Sequence, residues 1–325
     1  SIQKVLMSLL EFISQFPDEA SCRSHWKTHR ENVGIVCKRC GGEKHYWLSN
    51  KAQWRCSHCR FQTTLRSGTV MENSKLPFRY WFIAMHLLTA TKKGFSTLEL
   101  KRQLGHKRYQ PIWEMVHKLR SVMGQRDSLY QLESIVEMDE GFFKSQPEED
   151  SKDDSQDDDL KRGRGSQQQS KVLVMIESEP VDEQKQQKHR PNRKAGHLRM
   201  VVIPDLGAGT LDMNAQKCID PQAEVVTDAL PAYSLLSQSF DTHTSFNLSK
   251  LEVNADTLLP WVHITISNAK RWINGTFHHV KQKYLQNYLN EFCYKYNRRY
   301  FKERLFDRLL LAAATYHWRP VYSTG

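Results

Sequence analysis

Ile135-Val-Glu-Met-Asp-Glu-Gly-Phe-Phe143 decides the fold of this 325-residue chain. Ile135, Val136 and Met138 lead into an acidic pair, Asp139 and Glu140, and then a glycine. That pattern predicts a buried strand with a carboxylate at its end. Three apolar runs follow: Lys171 to Glu177, Leu198 to Ile203, and the shorter Glu224 to Thr227. Helical patterns start at Ala229 and again near Leu258. Strands first and helices after them imply an α/β layer. The joins at 145–170 and 180–196 are polar and charged, and read as loops or hairpin tips.

Upstream of this core the pattern differs. Val5, Leu6, Leu9, Leu10 and Ile13 recur at helical spacing, and Pro17 stops that helix. Cys37-x2-Cys40 and Cys56-x2-Cys59 are separated by fifteen residues. Each pair is a knuckle that aims two thiolates at one point, and two knuckles make a closed tetrahedral zinc site with a structural role. Between them, Lys44 to Lys51 and Gln53 to Arg55 alternate like short strands, with Ser49-Asn50 as the turn. Next, Pro77 opens an apolar helix, Ser96-x-x-Glu99 opens a second, and a third runs from about Tyr109 to Met123 after Gly105. This is the outline of a helix-turn-helix, and ordinary three-helix packing has the same outline. The expected division is a helical segment at 1–34, a zinc ribbon at 35–70, a helix-turn-helix region at 71–128 and a core at 129–325 with a charged insertion at 146–170. The chain is thus multidomain α+β.

Charge bounds the partners. The chain carries +11, and eight acids with one lysine between Gln146 and Asp159 hold −7 of its charge, so the rest carries +18. Such a background suits nucleic acid. Candidate DNA contacts are Arg60 in the ribbon, Arg108, Lys118 and Arg120 in the third helix, and Lys270 and Arg271 near the end of the core. A solvated basic surface is the plainer reading. No apolar run reaches the roughly 18–20 residues of a membrane span. No signal-peptide pattern opens the chain. The seven cysteines suit a metal site plus free thiols in a reducing compartment, cytosol or nucleoid.

Two constellations carry chemistry. Asp139 and Asp228 each follow an apolar strand, and carboxylates on neighbouring strand ends can converge on hard divalent cations that assist phosphodiester chemistry. An Asp at a strand end also caps turns and helices. His263 and Lys270 are seven residues apart, two helical turns, and share a face. A solvated amphipathic helix has the same spacing.

Several motifs in order resemble one family: Cys56-Ser-His-Cys-Arg60, Ser67-Gly-Thr-Val70, Val136-Glu-Met-Asp-Glu-Gly-Phe-Phe143 and Lys161-Arg-Gly-Arg-Gly165. Val226-Thr-Asp228 with Tyr233, Gly275-Thr-Phe-His-His279, Tyr288-Leu-Asn-Glu-Phe292 and Asn297-Arg-Arg299 continue the series. The chain resembles bacterial insertion-sequence transposases of the ISXO-two-like group, a branch of the DDE superfamily related to eukaryotic Merlin elements. The resemblance implies an RNase H-like core, recognition of terminal inverted repeats in double-stranded DNA, strand cleavage and transfer with magnesium or manganese, and a dimer or larger complex on DNA. It implies that Asp139 and Asp228 are metal ligands and that His263 occupies the third position, where the family pattern has Glu. A neutral imidazole favours manganese or softer ions. Asn268 and Glu291 are weaker candidates for that ligand. Lys270 would hold the DNA end. The alternative is a DNA-binding protein descended from a transposase that no longer cuts.

Overall fold

The computed structural model describes residues 7–147, 168–181, 191–246, 258–301 and 304–318. The run of acids from Glu148 to Asp159 and the motif Lys161 to Gly165 lie outside these residues. The chain divides into two units, Ser1–Arg126 with Arg298–Gly325, and Asp127–Asn297. The expected core ran to residue 325; the observed boundary falls at Asn297, because the last helix packs with the first unit.

In the N-terminal unit, Ser8 and Glu11 form a reciprocal capping box that starts α1 (Leu9–Gln15). Of the residues that predicted this helix, Leu9, Leu10 and Ile13 are exposed, and Val5 and Leu6 lie outside the described residues; Phe12 and Phe16 pack instead. Asp18 caps α2 (Glu19–Val33). The ribbon is an antiparallel sheet of β1 (His45–Leu48), β2 (Gln53–Cys56) and β3 (Gln62–Thr64), the third of which the sequence did not announce. It leans on α2, where Glu31 accepts from the Trp54 indole at 3.0 Å and Lys27 lies over Trp47. Three helices follow: α3 (Phe78–Ala90), α4 (Thr97–Gln103) and α5 (Tyr109–Asp127). Ser96 caps α4 as its sequence predicts. Gly105 makes the turn before α5 at a φ of +62°, where a side chain would strain the backbone. Pro77 leaves α3 without a side-chain cap of its own, and the Glu19 carboxylate supplies one by accepting from the Phe78 and Arg79 amides at 2.9 and 2.8 Å.

The sheet unit has β4 (Ile135–Lys144), β5 (Gln169–Pro180), β6 (Arg193–Ile203), α6 (Ala208–Cys218), β7 (Glu224–Asp228), a 3-10 turn at Pro231–Tyr233, α7 (Leu236–Ser239) and β8 (Thr242–Phe246). Two long helices close it, α8 (Pro260–Thr276) and α9 (Gln282–Asn297). The strand order is β6-β5-β4-β7-β8, with the first three antiparallel and the last two parallel. Counted from β4, that is 3-2-1-4-5, a mixed α/β sheet of the RNase H-like kind. Where a helix was expected from Ala229, the chain makes only the 3-10 turn and one turn of α7 before entering the unforeseen β8.

Alternation sorts the two faces. Val136, Met138, Leu173, Met175 and Val225 pack with α6 and Tyr233. Phe143, Val174, Ile176 and Val226 pack with Val262, Ile266 and Ile273 of α8 and Leu285 and Leu289 of α9. β6 would offer its unpaired backbone to solvent, an invitation to mispairing. Two amides of α9 satisfy it instead. Gln286 accepts from Val202 N and donates to Met200 O, and Asn297 does the same for both groups of Leu198. In the N-terminal unit, α10 (Leu305–Thr315) returns to α2 and α3, and Phe306 meets Phe12, Phe16 and Phe82.

Candidate active site and metal centre

The ribbon holds one centre. Backbone bonds from Gly41 N to Cys37 O and from Arg60 N to Cys56 O close two matching knuckles at 2.9 and 3.0 Å. Each knuckle turns at a left-handed residue, Gly41 (φ +70°) and Arg60 (φ +60°). The four sulfurs lie within 4.8 Å of one another, with Cys37–Cys59 at 3.4 Å and Cys40–Cys56 at 3.6 Å. Four thiolates about 2.3 Å from a zinc ion stand about 3.8 Å apart in a tetrahedron. The cysteines therefore fit zinc without rearrangement, and no ligand position is left for water.

The second centre lies on the sheet unit. Asp139 sits in the middle of β4, not at its end as its sequence suggested, because β4 continues against β5 to Lys144. The parallel register sets Glu137 beside Val226. Continued by two residues, it sets Asp139 beside Asp228, the last residue of β7. Both side chains are on the α8 face. His263, in the first turn of α8, places Nε2 3.2 Å from Asp139 Oδ2, with both side chains about one-quarter exposed. The other Asp139 oxygen accepts from Glu140 N at 2.8 Å. Asp228 Oδ1 accepts from Leu230 N at 3.2 Å, so it does shape the turn that follows. Among the described residues, only the four cysteines gather into a cluster with every ligand atom within 4.8 Å; the two aspartates and His263 are a looser group.

Tyr233 packs on the opposite, α6 face of the sheet, near Glu140. Burial, then the Glu140 charge, with smaller effects of Asp139 and Asp228, drive its phenol pKa far up, so it stays protonated. Farther along α8, Lys270 lies 5.8 Å from the Phe143 ring centre, and Arg271 is exposed and donates to Asn268 Oδ1. Asn268 is thus turned toward Arg271. Glu291 is fully buried on α9 and pairs with Lys295 at 3.3 Å, a structural role.

One residue of the site was overlooked in the sequence although it stands inside the decisive strand. Glu137 is 1% exposed, and its Oε2 accepts from the amides of Trp261 and Val262 at 2.8 and 2.9 Å. Burial raises its pKa, against the lowering effects of Ser178, the two amides and Arg193.

Two of the expected DNA contacts are corrected. Arg120 is fully buried, and Lys118 is 6% exposed with Nζ donating to Glu72 O at 3.0 Å. Neither reaches a duplex from there. α5 is a core helix: Ile112, Met115, Val116, Leu119, Val122 and Met123 are buried with them. Buried His117 beside Arg120 has its pKa pushed down to about 2, first by burial and then by that charge. Arg108 and Arg60 remain exposed.

The family model described as a transposase zinc-ribbon domain matches residues 17–62. No curated protein matches the chain. Among solved structures, a pre-cleavage Mos1 transpososome is similar at 11% identity over 76% of this chain and 82% of that one, with a TM-score of 0.28. A Mos1 transposase paired-end complex with the left transposon end is similar at 13% identity, the same coverage and a TM-score of 0.28. Likenesses that faint carry no weight for this chain. No helix among the described residues is long and apolar enough to cross a membrane. The model of the ISXO2-like transposase domain matches residues 131–297, which span the sheet, Asp139, Asp228 and His263, and the chain belongs to that transposase family.

Proposed function

We propose that this protein cuts and joins DNA at the ends of an insertion sequence, with Asp139, Asp228 and His263 as its metal-binding residues. The carrying observation is the 3.2 Å approach of His263 Nε2 to Asp139 Oδ2, on a strand whose parallel neighbour ends in Asp228. Two carboxylates and an imidazole make an oxygen-rich donor set with one nitrogen, suited to manganese or magnesium. A divalent ion held there would activate water and stabilise the leaving oxygen of a phosphodiester. The protein's own residues do the rest. Lys270 and Arg271, two turns along the same helix from His263, hold the DNA backbone. Tyr233, kept neutral on the opposite face of the sheet, takes no part in proton transfer. Arg60 and Arg108 of the N-terminal unit contact the terminal repeat through phosphates, so binding weakens steeply with salt. Joining two ends calls for at least two copies of the chain.

The test is cleavage of a labelled duplex carrying the element's terminal repeat, with magnesium or manganese, by wild type and by Asp139→Ala, Asp228→Ala and His263→Ala. Binding is measured in parallel. Nicking at the element's end by wild type, with all three variants binding but losing at least about 1000-fold in rate, supports the reading. Specific binding with no cleavage in either metal replaces it with a DNA-binding protein whose core is inactive.

A further inference from the structure

α8 carries His263, yet its own sequence cannot start it. Its N-cap is Leu259 and its first residue is Pro260, and neither side chain accepts a hydrogen bond. The first turn of a helix leaves amides in need of acceptors. Here Glu137 provides the acceptor, from the centre of the sheet. Its position is itself fixed. Arg193 Nε stands 3.9 Å from Glu137 Oε1 and donates to Ser178 Oγ at 2.6 Å, and the Trp261 indole donates to Arg193 O at 2.8 Å. Strand, cap and helix start thus form one closed loop of contacts. Glu137 precedes Asp139 by two residues on the same face of β4, and His263 follows Val262 directly. The same side chain therefore sets the level of α8 along the strand that bears Asp139.

Resting on the site reading above, we infer that Glu137 is a positioning residue for the reaction: it seats α8 so that His263 meets Asp139. It touches neither DNA nor the reacting atoms. Glu19 makes the same two-amide cap on α3 in the other unit, which offers an internal control.

The experiment uses the full-length zinc-loaded protein with Glu137→Gln, Glu137→Asp and Glu19→Ala. Gln keeps the length and an acceptor oxygen but loses the charge; Asp keeps the charge but is one methylene too short. End cleavage is measured at saturating DNA, and DNA affinity separately. The ring signals of His263 are followed by NMR in histidine-labelled protein, with and without Asp139→Asn. Glu137→Asp should lower the cleavage rate about 100-fold, as a displacement near 1 Å does, without altering DNA affinity. It should also erase the response of His263 to Asp139→Asn. Glu137→Gln should stay within about fivefold of wild type and keep that response, and Glu19→Ala should leave both readouts unchanged. The reverse order, with Asp active and Gln impaired, means that charge and not position matters, and overturns the inference. So does an undiminished His263 response in Glu137→Asp. If wild type does not cleave, the transposase reading fails, while the ring response still decides the positioning role.

Discussion

The zinc centre and the Asp139 site are built in opposite ways. All four ligands of the first fall between Cys37 and Cys59, on knuckles that close by their own backbone bonds. The proposed second site takes Asp139, Asp228 and His263 from three distant segments, and nothing local holds them together. A centre of the first kind is spelled out by spacing and depends on its ion. A centre of the second kind depends on the sheet beneath it.

Removing zinc tests that contrast most severely. Binding to structural thiolate sites contributes on the order of 10 kcal/mol of folding free energy. Chelation, or Cys56→Ser, should therefore melt the ribbon, expose Trp54 and collapse its amide protection, while amides of the sheet unit stay protected. Hydrogen exchange followed by mass spectrometry reads both at once, and an unchanged Trp54 emission after complete chelation would break the comparison.

Acid should separate the two units next. His25, His29, His86 and His117 of the N-terminal unit all have pKa values lowered by burial, His117 to about 2. A folded pKa below the unfolded one gives stability that is complete above about pH 6.5 and is lost as pH falls. At pH 5 His117 alone costs about 2 kcal/mol, or several degrees in melting temperature. In the sheet unit His243 is shifted the same way, but Glu137 is raised, and its contribution grows as pH falls toward 4.5. Exchange protection between pH 7 and pH 5 should accordingly fall more in the N-terminal unit. An equal loss in both would show that buried imidazoles do not govern acid stability here.

The smallest effect concerns the second knuckle. Arg60 occupies a left-handed position that its counterpart Gly41 fills without strain. Arg60→Gly should gain about 0.5 kcal/mol in urea unfolding, since relief of strain slightly exceeds the entropy cost of glycine. The same change should lower DNA affinity and reduce the salt slope by about one contact. A gain in stability with no change in DNA binding would leave the arginine without a reason to be there.

How much could be read beforehand follows the same division. Cysteine spacing sufficed for the ribbon because the information is local. The alternation of β4 and the motif around Asp139 announced the sheet; spacing singled out His263 with Lys270, but only the family resemblance joined His263 to Asp139, since no spacing connects those two. Lys118 and Arg120 were misjudged because charge on a helix normally faces water; the apolar residues at 112, 115, 116, 119, 122 and 123 were in view, but not the packing on the remaining side. β8 escaped because Thr242–Phe246 is short and polar, and its pairing with β7 is what makes it a strand.

The remote cap on α8 has a consequence in time. Glu137 and Trp261 are 124 positions apart. Contacts that close so long a loop form late, after local helices and hairpins have paid less entropy to assemble. During synthesis, Asp139 and Asp228 leave the ribosome well before His263, and the helix that bears His263 has no seat until the β4 strand is already in the sheet. The proposed Asp139 site thus reaches its geometry only as one of the last acts of the chain's own folding.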